Sequence, residues 1–321
     1  MPRPLHMSCA LDNFRAARFR LRLTAVDRVL LSEHPGSAFR GGFGRVLRKV
    51  ACPLGCVDTC RRPDSCAYAY LFETPAPAGS QVLEKIPTAP RPFVLQWPAE
   101  RARSYEPGAA FEFGLVLVGR AIEYLPYFVY AFEELGRVGL GRSHGRYRLE
   151  EVLTVPAEGD PAPVFQACDR CFSDRLHRVS VAQLRPPPPD GRPLPVRFLS
   201  PTLLHYQGAA ASPAVFHVFF RNLLRRVNFL NYFHCGGQLQ NDARELIAAA
   251  EAVNTVECRL ERDDWERYSA RQDRRVPMGG FTGMIVWQGD LSQFWPWLVL
   301  GELVHVGSAA TFGLGQYRID V

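Results

Sequence analysis

The stretch Gly313-Leu314-Gly315-Gln316-Tyr317-Arg318-Ile319 has an echo earlier in the chain, where Gly139-Leu140-Gly141-Arg142 precedes Tyr147-Arg148-Leu149. Each copy follows an apolar helical run and feeds an alternating one, so each reads as helix, glycine-rich loop, strand. Working outward, the elements before each copy also correspond. Arg18 to Val26 alternates, with Phe19, Leu21 and Leu23 on one face and Arg18, Arg20 and Arg22 on the other, the mark of a strand with one buried face. A Pro-Gly-Ser turn at 35–37 opens a helix through Phe39, Phe43, Val46, Leu47 and Val50. Strands are expected near Tyr68–Phe72, Phe93–Trp97 and Phe111–Val118. A helix from Ala121 to Leu135, the loop Gly136–Gly145 and a strand Tyr147–Val155 complete a β-α-β-β-α-β outline. The C-terminal half repeats it. A strand at Val196–Leu199 precedes helices over Ala214–Phe233 and Asp242–Ala252, strands near Val256–Glu261 and Phe281–Gln288, a helix Leu291–Val304, the loop Val306–Gly315 and a last strand Tyr317–Val321. Two copies of one α+β fold is the reading.

A chain of 321 residues suits two domains of roughly 150 residues each. The run Arg185-Pro186-Pro187-Pro188-Pro189-Asp190-Gly191-Arg192-Pro193 can neither continue a helix nor pair inside a sheet. It sets the expected boundary: one domain over 1–184, a linker over 185–195 and a second domain over 196–321. The net charge is +6, and all but two of the 38 basic residues, Lys49 and Lys85, are arginines. The planar guanidinium fork suits phosphates and stacks on bases, although a GC-rich genome also favours arginine codons. Arginines interrupt every apolar run near the N-terminus, and Asp290 and Glu302 break the nearest approach to a membrane span, Phe281–Val306. A cytoplasmic protein with no membrane partner is expected, its nine cysteines reduced or bound to metal.

Glycines at 301, 307, 313 and 315 between a helix and a strand offer backbone N–H groups with no side chain in the way. Such a loop suits a phosphodiester backbone. A dinucleotide fingerprint places its glycines between strand and helix, the opposite order. The alternative is that the glycines only permit tight turns. The phosphate role requires the Gly-Leu-Gly turn to stand open to solvent.

The segment from Gly301-Glu302-Leu303-Val304-His305 through Gly313-Leu314-Gly315-Gln316-Tyr317 resembles the C-terminal glycine-rich signature of the CRISPR repeat-processing endoribonucleases of the RAMP superfamily. The run Pro35-Gly36-Ser37-Ala38-Phe39-Arg40-Gly41-Gly42-Phe43-Gly44-Arg45, with the cysteines and Tyr68-Ala69-Tyr70-Leu71-Phe72-Glu73 after it, is similar to the opening of the same family. Leu199-Ser200-Pro201-Thr202, with Gln207-Gly208, is a weaker third match. The resemblance implies tandem ferredoxin-like (RRM-like) domains, each an antiparallel sheet with helices on one face, and an RNA-binding cleft between them. It also implies cleavage of CRISPR repeat RNA to guide RNA without a catalytic metal, leaving a 2′,3′-cyclic phosphate on a product that stays bound. A partner role among other CRISPR effector subunits goes with it.

Attack by a 2′-hydroxyl needs a group to take its proton, a proton for the leaving 5′ oxygen, and cations for the phosphorane. The resemblance places the base on or beside the first helix, which points to His34 or to Arg45, where some relatives carry histidine. RNA contacts are expected from Arg40 and Arg48 on that helix, from Arg142, His144 and Arg146 in the first glycine loop, and from His205. His305, Ser308, Thr311, Gly313 and Gly315 of the second loop complete the set. Cys52, Cys56, Cys60 and Cys66 lie within fifteen residues among prolines and a glycine, a set able to close a tetrahedral structural zinc site; unbound thiols or an iron–sulfur cluster are the alternatives. A non-catalytic subunit that grips the repeat-derived end of crRNA accounts for the same features. A metabolic enzyme with a nucleotide cofactor has no motif here.

Overall fold

The structure, a computed structural model, describes residues 11–52, 60, 65–75, 89–98, 102–141, 143–187, 191–239, 242–269 and 274–320. The chain divides into two compact units. The first comprises Arg15–Val179 with Phe233–Cys235; the second comprises the segment ending at Phe14, Ser180–Tyr232 and Gly236–Val321. The change of unit thus falls between 179 and 180, ahead of the prolines. Arg185 packs over the Trp295 ring at 5.6 Å and pairs with Glu302 at 2.9 Å, and a strand already begins at Leu194.

The first unit holds β1 (Arg15–Ala25), β2 (Val29–Leu30), α1 (Gly36–Ala51), β3 (Phe93–Gln96), β4 (Ser104–Tyr105), β5 (Ala110–Val118), α2 (Leu125–Val138), β6 (Tyr147–Thr154) and β7 (Ala162–Gln166). Its sheet runs β3-β5-β1-β6-β7 with antiparallel neighbours. The short β8 (Val179–Ser180) stands at the passage to the second unit. There β9 (Leu194–Thr202) is followed by the hairpin β10 (Leu204–Tyr206) and β11 (Ala209–Ala211), then α3 (Phe216–Cys235) and α4 (Ala243–Ala249). β12 (Asn254–Asp263), the hairpin β13 (Glu266–Ser269) and β14 (Arg274–Pro277), β15 (Gly280–Gln288), α5 (Trp295–Val304) and β16 (Tyr317–Ile319) complete it. The sheet order is β12-β15-β9-β16, again antiparallel throughout. In each unit the strands of the β-α-β-β-α-β unit therefore stand in the spatial order second, third, first, fourth. Both units are ferredoxin-like, and the chain is α+β.

Burial explains why these elements form. In the first unit Phe39, Phe43 and Leu47 of α1 and Phe128 and Phe132 of α2 are fully buried against Phe19, Leu21, Phe113 and Leu115 of the sheet. Phe43 stacks on Phe128 at 4.7 Å. In the second unit Phe216, Phe219 and Phe220 of α3 pack with Trp287, Phe294 and Trp297, with Phe219 and Trp287 4.8 Å apart. The sequence echo has a packing cause. Tyr147 donates its hydroxyl to the Phe132 carbonyl at 3.0 Å, and Tyr317 to the Leu298 carbonyl at 2.6 Å. Each phenol sits where its helix has a glycine, Gly136 or Gly301, whose Cβ would collide with the tyrosine.

Three expectations change. Tyr68–Phe72 is not a strand: Ala69–Glu73 forms a π-type helical turn, with the Thr74 N–H bonded to the Ala69 carbonyl at 2.7 Å. A helical turn lets the adjacent Leu71 and Phe72 both face the core, which an alternating strand does not allow. The helix expected from Ala121 begins as a 3₁₀ segment, Gly119–Tyr124, before α2. The sequence reading also missed β7 and both hairpins of the second unit. Among the described residues, no helix is long and apolar enough to cross a membrane.

Candidate functional site

In the first unit, His34 is half-buried just before α1, its carbonyl accepting the Ser37 N–H at 3.4 Å. Arg45 is exposed on α1, about 14 Å along the axis from the first helical residue. His34 thus precedes the helix, and Arg45 lies just past its middle. Arg40 and Arg48 turn sideways onto aromatic rings: Arg40 lies 4.2 Å from the Phe72 centroid and Arg48 5.9 Å from Tyr68. In the first glycine loop His144 is exposed with left-handed backbone, φ 49°. Arg146 holds Asp27 with a two-pronged contact, Nε to Oδ2 at 2.7 Å and Nη2 to Oδ1 at 3.1 Å. The hydrogen bond from Arg146 holds the Asp27 carboxyl below the usual carboxylate range and commits the Arg146 fork to a carboxylate. Arg142 lies outside the described residues.

In the second unit the glycine loop corrects the expectation. His305 is fully enclosed, with Nδ1 3.1 Å from the Leu314 carbonyl, and burial pushes its pKa down to about 3. A neutral ring packed inside the unit does not stack on a base. Thr311, Gly313 and Gly315 are buried as well. The Gly315 N–H donates to the Pro201 carbonyl at 3.0 Å and the Gly313 N–H to the Ala310 carbonyl at 2.9 Å. Ser200 Oγ donates to the Gly313 carbonyl at 2.8 Å and accepts the Gln316 N–H at 2.9 Å. The Gly-Leu-Gly amides thus close the loop against β9 instead of presenting a phosphate nest.

The frame instead delivers its outer lip, Gly307–Ala309. Gly307 has φ +76°, and its Cα faces the Leu203 carbonyl so closely that a Cβ would overlap it. The Ser308 N–H donates to that same carbonyl at 3.0 Å, and Ser308 Oγ lies 3.4 Å from His205 Nδ1. His205 is exposed on β10, and its backbone is clamped by Asn222 of α3. Its N–H donates to Oδ1 at 3.2 Å and its carbonyl accepts from Nδ2 at 3.0 Å. Beside it, Tyr206 meets the His217 ring at 5.7 Å, and the Arg221 guanidinium lies 5.5 Å from the Tyr206 centroid. His217, Arg221 and Arg225 recur every four residues on α3, and Arg225 is exposed. Arg226 donates Nε to the Val304 carbonyl at 2.7 Å, and burial draws its pKa down to about 10. Arg267 of β13 lies 4.7 Å from the Phe312 centroid. The sequence reading missed Asn222, Arg221, Arg225 and Arg267, although the spacing along α3 was a usable signal.

Cys52 and Cys66 are buried together with Ala69, with Cys60 and Tyr68 packed beside them, and Cys66 Sγ lies 3.5 Å from the Ala51 carbonyl. Among the described residues no three His, Cys, Asp or Glu side chains converge to hold a metal ion. Cys56 lies outside the described residues. The thiols of Cys52 and Cys66 join the end of α1 to the turn at 66–73.

Residues 14–178 match a family model described as an N-terminal domain, and residues 196–317 match the model of CRISPR-associated endoribonuclease Cas6. An uncharacterized protein of Archaeoglobus fulgidus is 25% identical over 289 residues, which is 88% of this chain and 91% of its own. A product complex of a Thermus thermophilus Cas6 aligns over 95% of this chain and 99% of its own, with a TM-score of 0.56 and 16% identity. A chain of a partial Cas6-RT-Cas1--Cas2 complex aligns over 96% of this chain and 46% of its own, with a TM-score of 0.57 and 13% identity. At these identities the structural likeness is one of fold.

Proposed function

Because the chain belongs to the Cas6 family of CRISPR-associated RAMP endoribonucleases, we propose that it binds CRISPR repeat RNA and cuts the precursor transcript into guide RNA. The observation that carries this most is that the endoribonuclease match, residues 196–317, spans the lip that sets Ser308 against the exposed His205. The arginines of α3 beside it supply sequence-independent attraction for phosphates.

The cut proceeds by attack of the 2′ oxygen on the adjacent phosphorus. It releases a 5′ hydroxyl and leaves a 2′,3′-cyclic phosphate, with no metal ion in the step. On the first unit, Arg45, exposed on α1, and His34, just before that helix, are the candidates to serve the cut. The product stays bound and is handed on to other CRISPR proteins. A second reading, a grip without a cut, draws on the absence of any histidine within α1 itself, Gly36–Ala51.

The test is to incubate the purified chain with 5′-labelled cognate repeat RNA in excess EDTA. A single cut ending in a cyclic phosphate is expected. Tight binding with the RNA left whole favours the non-catalytic subunit; absence of binding overturns both readings.

A further inference from the structure

The endoribonuclease reading leaves the proton acceptor open, and the geometry points to His205 as the general base that takes the 2′-hydroxyl proton at the cut site. This assignment rests on that reading. Among the described residues three histidines are exposed, His144, His177 and His205, and only His205 has a ring hydrogen bond to another side chain. Two residues fix it, Asn222 and Ser308. Asn222 holds its N–H and its carbonyl at once, and anchors its own amide on the Val218 carbonyl at 2.9 Å. Ser308 meets Nδ1, and Ser308 is itself tied to Leu203, two residues before the histidine. Behind Ser308 stands the buried glycine frame, in which Gly307 seats against Leu203 and Gly315 against Val306. So much backbone committed to placing one hydroxyl beside one exposed imidazole is what an oriented base requires, with a second group holding the ring and the far nitrogen open to substrate.

In the tautomer whose Nδ1–H donates to Ser308 Oγ, the lone pair stands on Nε2, which has no hydrogen-bond partner among the described residues. Nε2 accepts the 2′-hydroxyl proton as the bond from the 2′ oxygen to phosphorus forms and the bond from phosphorus to the 5′ oxygen breaks. The 5′ oxygen takes a proton from water. The hydroxide so formed is neutralised when the imidazolium releases its proton, so atoms and charge balance. Arg221, against Tyr206 one residue on, lies within the same patch to meet the phosphate. Ser308 is a positioning residue, because it acts through the ring.

The test measures single-turnover cutting and equilibrium binding of repeat RNA side by side. His205→Ala is expected to cut on the order of 100-fold more slowly or worse, with binding within about threefold of the parent. Added imidazole restores part of the lost rate, which also shows that the variant is folded. Ser308→Ala loses roughly tenfold in rate with binding kept, and Ser308→Thr recovers most of it. His177→Ala, an exposed histidine of the other unit, serves as control. If the parent cuts and His205→Ala cuts within about threefold of it, His205 is not the base while the endoribonuclease reading stands. If His205→Ala loses binding together with cutting and imidazole restores nothing, His205 is a grip residue and the assignment falls. If the parent does not cut at all, reading and assignment fail together.

Discussion

Gly315→Ala is expected to destabilise the second unit by roughly 3–5 kcal/mol, more than any other single methyl added to the described glycine loops. Gly315 sits at φ +72°, where a side chain alone costs about 1–2 kcal/mol. The new Cβ would also overlap the Val306 carbonyl oxygen, a backbone atom that cannot rotate away. That backbone is not free to retreat, because the Val306 N–H donates to the Gly315 carbonyl at 2.9 Å and the Gly315 N–H to Pro201. The control is Gly236→Ala. Gly236 has nearly the same backbone, φ +71°, but open space around it, so its loss should stay near the conformational cost of about 1–2 kcal/mol. Urea denaturation of the two variants separates the terms. Equal losses would mean that the loop relaxes and that the frame around Ser308 is soft.

Acidification is expected to weaken the second unit through His305. In the folded unit the pKa of His305 is held near 3, against 6.5 for an ordinary histidine. The unfolded chain therefore takes up the proton first as pH falls. Stability from this group is complete above pH 6.5 and is lost progressively as pH drops toward 3. Between pH 7.5 and 5 the loss amounts to about 2 kcal/mol, since each unit of displacement is worth about 1.4 kcal/mol. Burial is the main cause, and Arg226 opposes a second positive charge close by. His305→Gln, less stable at pH 7.5 because it leaves part of the pocket unfilled, should show a flatter decline over the same interval. Parallel declines would place the acid sensitivity elsewhere. The same enclosure explains why His305 cannot do what its place in the glycine signature suggests.

The fold was legible because its two copies obey one pattern, and because Tyr147 and Tyr317 each mark a strand tucked beneath a helix glycine. The alternation of Phe19, Leu21 and Leu23 and the spacing of Phe39, Phe43 and Leu47 reflect one-sided burial, which periodicity detects directly. Tyr68–Phe72 misled because aromatic residues favour strands in general, while here two neighbouring side chains both fill the core. The site was harder to read for a different reason. A glycine with positive φ serves an open phosphate loop or a turn jammed against backbone equally well, and only the neighbours of Gly313 and Gly315 distinguish the two. Arg40 and Arg48 were placed on the right helix, but the rings that capture them, Phe72 and Tyr68, come from a later turn of the chain. His205 was expected only as an RNA contact. What gives it chemistry is Asn222 and Ser308, one 17 residues away and the other 103, and separations of that kind leave no trace in local pattern.

If the attacking nucleophile is the RNA's own 2′ hydroxyl, assisted by an oriented imidazole, repeat RNA carrying one 2′-deoxy sugar at the cut site should bind the unmodified chain in EDTA as tightly as all-ribose RNA and stay whole at that position. A cut at the deoxy position would mean that the attacking oxygen came from water, and the proposed chemistry would fall.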